Sequence, residues 1–285
     1  MDQAAALRSL AVPALRQVRP ESPGAEVIVV GSGKGGVGKS VLSVLFATAL
    51  VRNGRRVLLV DGCQNQGNLH ILLGVRPAGR LEDLLTGETD LDQLPVAVSP
   101  GLWLLPADSG AESLYALNRV DRARLHHQLS SLYDAFETVV VDGGPGIDNV
   151  VRVASMSATR LVVVTVPEPT ALSDAYALIK IVSLQIPALP ASVLVNRTRS
   201  GEEGLAAFER LSLAASRFLG RELEYLGTLP EDDALRADIR RPGALLAAAP
   251  SEVDEAIARL IGSKTSGAQG VCVDPPGSPR TMSAS

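Results

Sequence analysis

The stretch Gly33-Lys34-Gly35-Gly36-Val37-Gly38-Lys39-Ser40 carries the clearest chemistry in this sequence. It satisfies the phosphate-loop pattern G-x-x-x-x-G-K-[ST]. Closely spaced glycines let a backbone curl until successive N–H groups converge on a phosphate chain. A helix starting near Ser40 adds its free N–H groups and the positive end of its dipole. Lys39 is then placed to reach the outer phosphates, and the Ser40 hydroxyl to ligate Mg²⁺. Two carboxylates join the set. Asp61 closes the apolar run Val57-Leu58-Leu59-Val60, and Asp142 closes Val139-Val140-Val141. A buried strand ending in Asp delivers its carboxylate to the rim of the sheet, where phosphate and metal bind. Gly143-Gly144-Pro145-Gly146 follows directly and can bring a backbone N–H to a terminal phosphate.

Strands and helices must hold these groups in place. Glu26-Val27-Ile28-Val29-Val30 reads as a buried strand leading into the loop, and Val41 to Arg52 as the helix leaving it. Further buried strands are predicted at Gly101 to Pro106, with Trp103 in the core, and at Leu161 to Val166, Ser192 to Arg197 and Glu224 to Gly227. Helical stretches are predicted within 81–94, over 111–133, after Pro167, over 203–219, and from Pro250-Ser251 onward, the last capped and amphipathic. His126 and His127 lie on different faces of the 111–133 stretch and read as surface or packing residues. Strands alternating with helices predict an α/β fold, a doubly wound and mostly parallel sheet. Residues 1–12 read as a separate short helix, 13–25 as a Pro-containing linker, 26–262 as the domain, and 263–285 as a disordered Ser-, Gly- and Pro-rich tail.

Composition narrows the function classes. With 46% hydrophobic and 20% charged residues, the 285-residue chain is globular and long enough for a sizeable core. A net charge of −4 argues against a broadly basic nucleic-acid surface, and 3% aromatic content leaves few platforms for base stacking. Cys63 and Cys272 match no zinc spacing and suggest no disulfide framework. Residues 1–25 lack the continuous apolar core of a signal peptide, and no apolar run approaches the ~18 residues of a membrane span. A cytoplasmic location is expected.

The string KGGVGKS, with its extra lysine, resembles the deviant Walker A box of the MinD/ParA family of dimeric ATPases, of the SIMIBI class of P-loop NTPases. The resemblance implies ATP or ADP with Mg²⁺ as ligands and a sandwich dimer. In it Lys34 crosses to the phosphates bound by the other subunit. The implied catalytic residues are Lys34, Lys39 and Asp61, and the implied metal-shell residues are Ser40, Asp61 and Asp142. Nucleotide contacts are implied for Gly33, Lys34, Gly35, Gly36, Val37, Gly38, Lys39, Ser40 and Val41. On the base side they are implied for Asn196, Arg197, Pro230, Glu231 and Asp232. An Asn side chain offers a base edge both a donor and an acceptor. From the residues alone, Lys34 reads equally as a solvated loop charge, and Glu168 as an exposed charge at a strand end.

Gly62 to Asn68 resembles the family's first switch segment, with Asp61 and Asn68 in pattern and Cys63 out of it. The family carries a second Asp at the position of Cys63, and a thiol neither accepts a proton nor orients water as a carboxylate does. Gly143 stands where the family usually has Ser or Thr, so a looser second switch is expected. Cys63 implies a crippled or retuned switch with slow hydrolysis; the alternative is that a neighbouring group, such as Gln64 or Gln66, takes over from the missing Asp.

Two further strings point to one branch. Asp2-Gln3-Ala4-Ala5-Ala6-Leu7-Arg8 is similar to the N-terminal motif of the FlhG/FleN proteins, and Pro167 to Lys180 reads PEPTALSDAYALIK, which resembles the same branch. Membership implies control of flagellar number or placement. It implies a contact from Asp2, Gln3, Leu7 and Arg8 to an FlhF-type GTPase, and work through a flagellar master transcription regulator or C-ring proteins. It implies an ATP-dependent homodimer, with no direct nucleic-acid contact. The acidic final helix lacks the basic face of a membrane anchor, so any recruitment to the pole or membrane would come through partners. Two alternatives remain from the sequence: a pseudo-ATPase scaffold that binds nucleotide without turnover, and a ParA-like partition ATPase.

Overall fold

The computed structural model describes residues 24–62, 67–77, 79, 91–106 and 127–262. The expected N-terminal helix, most of its linker, Cys63 to Gln66, residues 81–90 and 107–126 (His126 included), and the C-terminal tail lie outside them.

β1 (Glu26–Gly31) leads through the glycine-rich loop into α1 (Lys39–Arg52). β2 (Val57–Asp61), α2 (Leu69–Leu73), β3 (Val96–Ser99) and β4 (Leu102–Leu105) follow. After helical residues 127–133 come β5 (Thr138–Asp142), α3 (Ile147–Ser157), β6 (Arg160–Thr165) and α4 (Pro169–Gln185). β7 (Ala191–Thr198), α5 (Gly201–Leu219), β8 (Glu224–Pro230), α6 (Asp233–Ile239) and α7 (Ser251–Gly262) complete the order.

The eight strands run β3-β4-β2-β5-β1-β6-β7-β8. Every neighbouring pair is parallel except β3 with β4. The expectation of a doubly wound, mostly parallel α/β sheet is met. The antiparallel edge strand β3 is a feature the sequence did not announce. It is four residues long, mostly half-buried and bounded by Pro95 and Pro100, as suits an edge. α3 was also unforeseen, because it begins directly behind a Gly-rich run that reads as loop.

Strand alternation separates two cores. Val27, Val29, Val139, Val141, Leu161 and Val163 face one side, where residues of α3, α4 and α5 cover them. Ile28, Val30, Val140, Val162 and Leu194 face the other, covered by α1 and by Val253, Ala256 and Ile257 of α7. Because α7 packs over α1, that helix is apolar on nearly all sides and buried from Leu42 to Leu50. The predicted amphipathic C-terminal helix does dock, against β8 and α1. Trp103 is buried and meets the Phe136 ring edge-on at 5.6 Å.

From the central strand β1 the connection through α1 leads one way to β2, while β6, β7 and β8 extend the other way. Ligands of open parallel sheets bind at such a reversal, outside the carboxyl ends of the strands. The glycine-rich loop stands there.

Candidate functional site at the carboxyl ends of the central strands

Strand register assembles the site. Asp61 pairs with Asp142 across β2 and β5, and Val30 pairs with Asp142 across β1 and β5. Two carboxylates and the start of the loop therefore share one level on three adjacent strands. The ladder continues beyond the strands, with Gly62 N–H donating to the Asp142 carbonyl at 2.9 Å and Gly143 N–H to the Val30 carbonyl at 2.8 Å. No Cβ fits at Gly62, where one would stand 2.3 Å from the Asp142 carbonyl oxygen.

The loop itself is built for an anion. Gly36 and Gly38 take positive φ, 78° and 100°, a conformation glycine adopts without a Cβ penalty. Gly38 is the N-cap residue of α1 and supplies no side-chain cap, so the first N–H groups of that helix face the loop uncapped. Gly35 and Gly36 are exposed, whereas Val37 is anchored in the core. Ser40 and Val41 are half-buried at the first turn of α1. Gly33 lies so close to α4 that a Cβ would stand 2.0 Å from the Asp174 carbonyl oxygen. The Ser32 hydroxyl donates to the Lys34 carbonyl at 2.6 Å and accepts from Lys39 Nζ at 2.9 Å. Lys39 is thus buried and directed back across its own loop. Ser32 was not identified from the sequence, since it lies one residue outside the motif.

Asp142 is fully buried and its Oδ2 has no hydrogen-bond partner. Its Oδ1 accepts from Gly144 N–H at 3.2 Å. Burial pushes this carboxyl above its ordinary value, against the pull of the neighbouring Ser40 hydroxyl, the Gly144 N–H and the Lys39 charge. An orphaned carboxylate oxygen beside a serine hydroxyl, at the mouth of an anion-binding loop, is the oxygen donor set a hard cation such as Mg²⁺ takes. Asp61 is buried as well, and its Oδ2 accepts from the Leu69 N–H at 3.1 Å, at the start of α2.

The chain that leaves β5, expected to be the second switch, is pinned. Asn149, buried in the first turn of α3, donates to the Gly62 carbonyl at 2.8 Å and to the Gly143 carbonyl at 2.7 Å. One amide therefore ties the chain after β2 to the chain after β5, and its carbonyl accepts from Arg152. A Cβ on Gly143 would come within 2.8 Å of the Val30 carbonyl oxygen and 3.0 Å of Val150 Cγ2. The expectation of looseness at Gly143 is corrected: the missing side chain is filled by Val150, and the backbone is bonded on both sides. Asn149 escaped sequence analysis because α3 did.

Of the residues expected on the base side, Asn196, Pro230, Glu231 and Asp232 line one cavity of about 470 Å³, together with residues of α6 and Pro250 and Glu252. Arg197 is not in its lining; it is exposed, with a left-handed backbone at φ 55°. Asn196 donates from Nδ2 to the Val37 carbonyl at 2.8 Å, and its Oδ1 accepts from Arg197 N–H at 2.9 Å. The expected free donor–acceptor pair is therefore engaged in holding the loop to β7. Gly38 is also needed here, because a Cβ would lie 2.6 Å from Asn196 Nδ2. Pro230 ends β8, Glu231 pairs with Arg236, and Asp232 caps α6 by accepting from Ala234 and Leu235 N–H.

Lys34 and Glu168, each readable as a solvated charge, are found together. Lys34 Nζ is 2.6 Å from Glu168 Oε2 and donates to Thr170 Oγ1 at 3.3 Å. The lysine lowers the Glu168 carboxyl below its ordinary value, mainly by this hydrogen bond, with a smaller contribution from Arg197. Asp2, Gln3, Leu7 and Arg8 lie outside the described residues, as does Cys63.

Known proteins share this architecture. The family model described as the CobQ/CobB/MinD/ParA nucleotide binding domain matches residues 28–242. The chain is 35% identical to the antiactivator FleN of Pseudomonas aeruginosa over 225 residues, covering 79% of this chain and 80% of that protein. It is 31% identical to the flagellum site-determining protein YlxH of Helicobacter pylori over 247 residues, covering 85% of this chain and 83% of the relative. The septum site-determining protein MinD from Pyrococcus horikoshii, solved in complex with Mg-ADP, superposes with a TM-score of 0.67 at 23% identity. That match covers 85% of this chain and 98% of MinD.

Proposed function

Because this chain belongs to the MinD/ParA family of nucleotide-binding proteins, beside FleN and YlxH, we propose that it is an ATP-dependent dimerising switch that controls flagellar number or placement. The observation that carries the nucleotide part is the buried Asp142 carboxylate, with an unpartnered oxygen beside Ser40 and Lys39 at the uncapped start of α1. Mg²⁺-ATP supplies a cleavable terminal phosphate held by a hard cation. In this reading the loop N–H groups from Gly33 to Val41 cradle the phosphates and Lys39 leaves Ser32 to contact them. Ser40 and Asp142 hold the metal. Asp61, tied to α2, carries the state of the first switch into that helix. The cavity lined by Asn196, Pro230, Glu231 and Asp232 takes the base, with Arg197 at its margin.

Lys34 of each chain reaches the phosphates of the other, so the ATP-bound form is a dimer and hydrolysis releases it. Output is by protein contact. The segment Asp2, Gln3, Leu7 and Arg8 engages an FlhF-type GTPase, and the dimer acts on a flagellar transcription regulator or C-ring protein. The name of one relative, a flagellum site-determining protein, supports the flagellar part of this output. Among the described residues no helix is long and apolar enough to cross a membrane, and delivery to the pole is assigned to partners.

Phosphate release by the purified chain with Mg²⁺-ATP, beside the Cys63→Asp variant, tests the cycle. Turnover in the wild type supports a cycling switch. Nucleotide binding without release in both proteins refutes hydrolysis and leaves the pseudo-ATPase scaffold. Release restored only by Cys63→Asp identifies Cys63 as the reason for a switch latched in its ATP form.

A further inference from the structure

We propose that Ser32 is a positioning residue that keeps Lys39 apart from Asp142, holding the lysine for phosphate and the carboxylate for the metal. The inference rests on the reading of this rim as a Mg²⁺-nucleotide site.

Ser32 stands two residues past Val30, which pairs with Asp142 across β1 and β5. Val30 and Val140 face α1, and strand alternation carries Asp142 to that same face. Lys39, in the first turn of α1, turns back across the loop and lies in electrostatic range of Asp142. Its Nζ nevertheless bonds to the Ser32 oxygen at 2.9 Å, while Asp142 Oδ2 has no hydrogen-bond partner among the described residues. All three side chains are buried. The Ser32 hydroxyl has one proton, and it goes to the Lys34 carbonyl at 2.6 Å. Only its acceptor side is left for Lys39. The oxygen is thus oriented for a cation and has no proton to offer Asp142.

A buried ammonium and a buried carboxylate at one rim attract each other strongly. If they bonded directly, Lys39 would cover the Asp142 oxygen that Mg²⁺ would take. Phosphate would then have to break a buried ion pair, which is harder than drawing a lysine off a hydroxyl. Ser32 offers the lysine a neutral acceptor instead. That bond satisfies a buried ammonium and still exchanges readily for phosphate. Replacing Ser32 by Ala removes the acceptor without adding bulk, and Lys39 then turns to Asp142.

The test combines S32A with D142N in the full chain and reads ADP affinity in chelator by calorimetry. S32A should weaken ADP binding about tenfold, because the lysine must now leave a carboxylate. In the D142N background, where that carboxylate is gone, S32A should weaken it by about threefold or less. S32T keeps the hydroxyl and should bind close to wild type. Loss of the same factor in both backgrounds, or no loss in either, overturns the proposal, since an effect on loop shape alone would not depend on Asp142. Thermal unfolding of wild type, S32A, D142N and the double variant in chelator follows the same exchange without nucleotide. D142N should raise Tm when Ser32 is present and lower it in S32A, where it breaks the new ion pair. An equal rise in both also overturns the proposal. If wild type binds ADP neither in chelator nor with Mg²⁺, the nucleotide reading fails, and the unfolding comparison still decides where Lys39 goes.

Discussion

Replacing Asp142 by Asn should make the ligand-free protein more stable and the Mg²⁺-ATP-loaded protein less so. The carboxylate is fully buried, with one oxygen unpartnered, and burial outweighs the hydroxyl, amide and lysine that favour its charge. Its folded pKa lies above its unfolded value. The folded state therefore binds the proton more tightly, and this group's contribution to stability falls as pH rises from its ordinary value through the raised one. An unsatisfied buried polar group costs about 1–3 kcal/mol, which for a chain of this size corresponds to roughly 2–4 °C in Tm per kcal/mol. A neutral Asn removes that charge cost. Bound ligand reverses the order. Saturating wild type at ~100 times Kd adds about 2.7 kcal/mol, and the variant, lacking the carboxylate, should gain little of it. Thermal unfolding of wild type and D142N between about pH 5 and 8, in chelator and in Mg²⁺-ATP, reads both effects. In chelator the difference between wild type and D142N should grow more unfavourable to wild type with rising pH, then level off. A chelated D142N protein less stable than wild type at neutral pH would refute the argument, as would a full Mg²⁺-ATP shift in D142N.

Two further substitutions probe the same rim. Gly143→Ser should destabilise by roughly 1–3 kcal/mol, since its Cβ meets the Val30 carbonyl and Val150. Val150→Ala in the same chain should recover part of this, giving a coupling of about 0.5 kcal/mol or more in a double-mutant cycle by urea unfolding; strict additivity would show that Val150 does not fill the gap. Asn149→Ala should cost about 1–3 kcal/mol for each carbonyl it leaves unpaired at Gly62 and Gly143. Amide exchange should quicken on both segments together, and acceleration of only one would show that the amide does not couple them.

Glycine spacing, the lysine and serine that end the loop, and the valine runs ending in Asp were all legible as a phosphate site on a parallel sheet. Each is local: a turn needs its glycines, and a buried strand needs its apolar run. The loss of Cβ at Gly33, Gly38, Gly62 and Gly143 reads from the sequence as freedom to bend. In the fold it is a close approach to α4, Asn196, the Asp142 carbonyl and Val150. Those neighbours belong to other elements, and crossover connections place them beside the loop only after the sheet has formed.

By itself, the sequence determined the loop, its two aspartates, the alternation of strands and helices apart from elements such as β3 and α3, and the resemblance to the family. Tertiary structure alone decided that Asp61 and Asp142 stand side by side, because register is set when β2 docks on β5. It also decided that Asn149 bridges the segments that follow β2 and β5 and that Lys34 is paired with Glu168. A charge 134 residues away in sequence leaves no periodicity or spacing to read. Such pairs exist only once α4 has packed against the loop, where burial and backbone approach choose the partner.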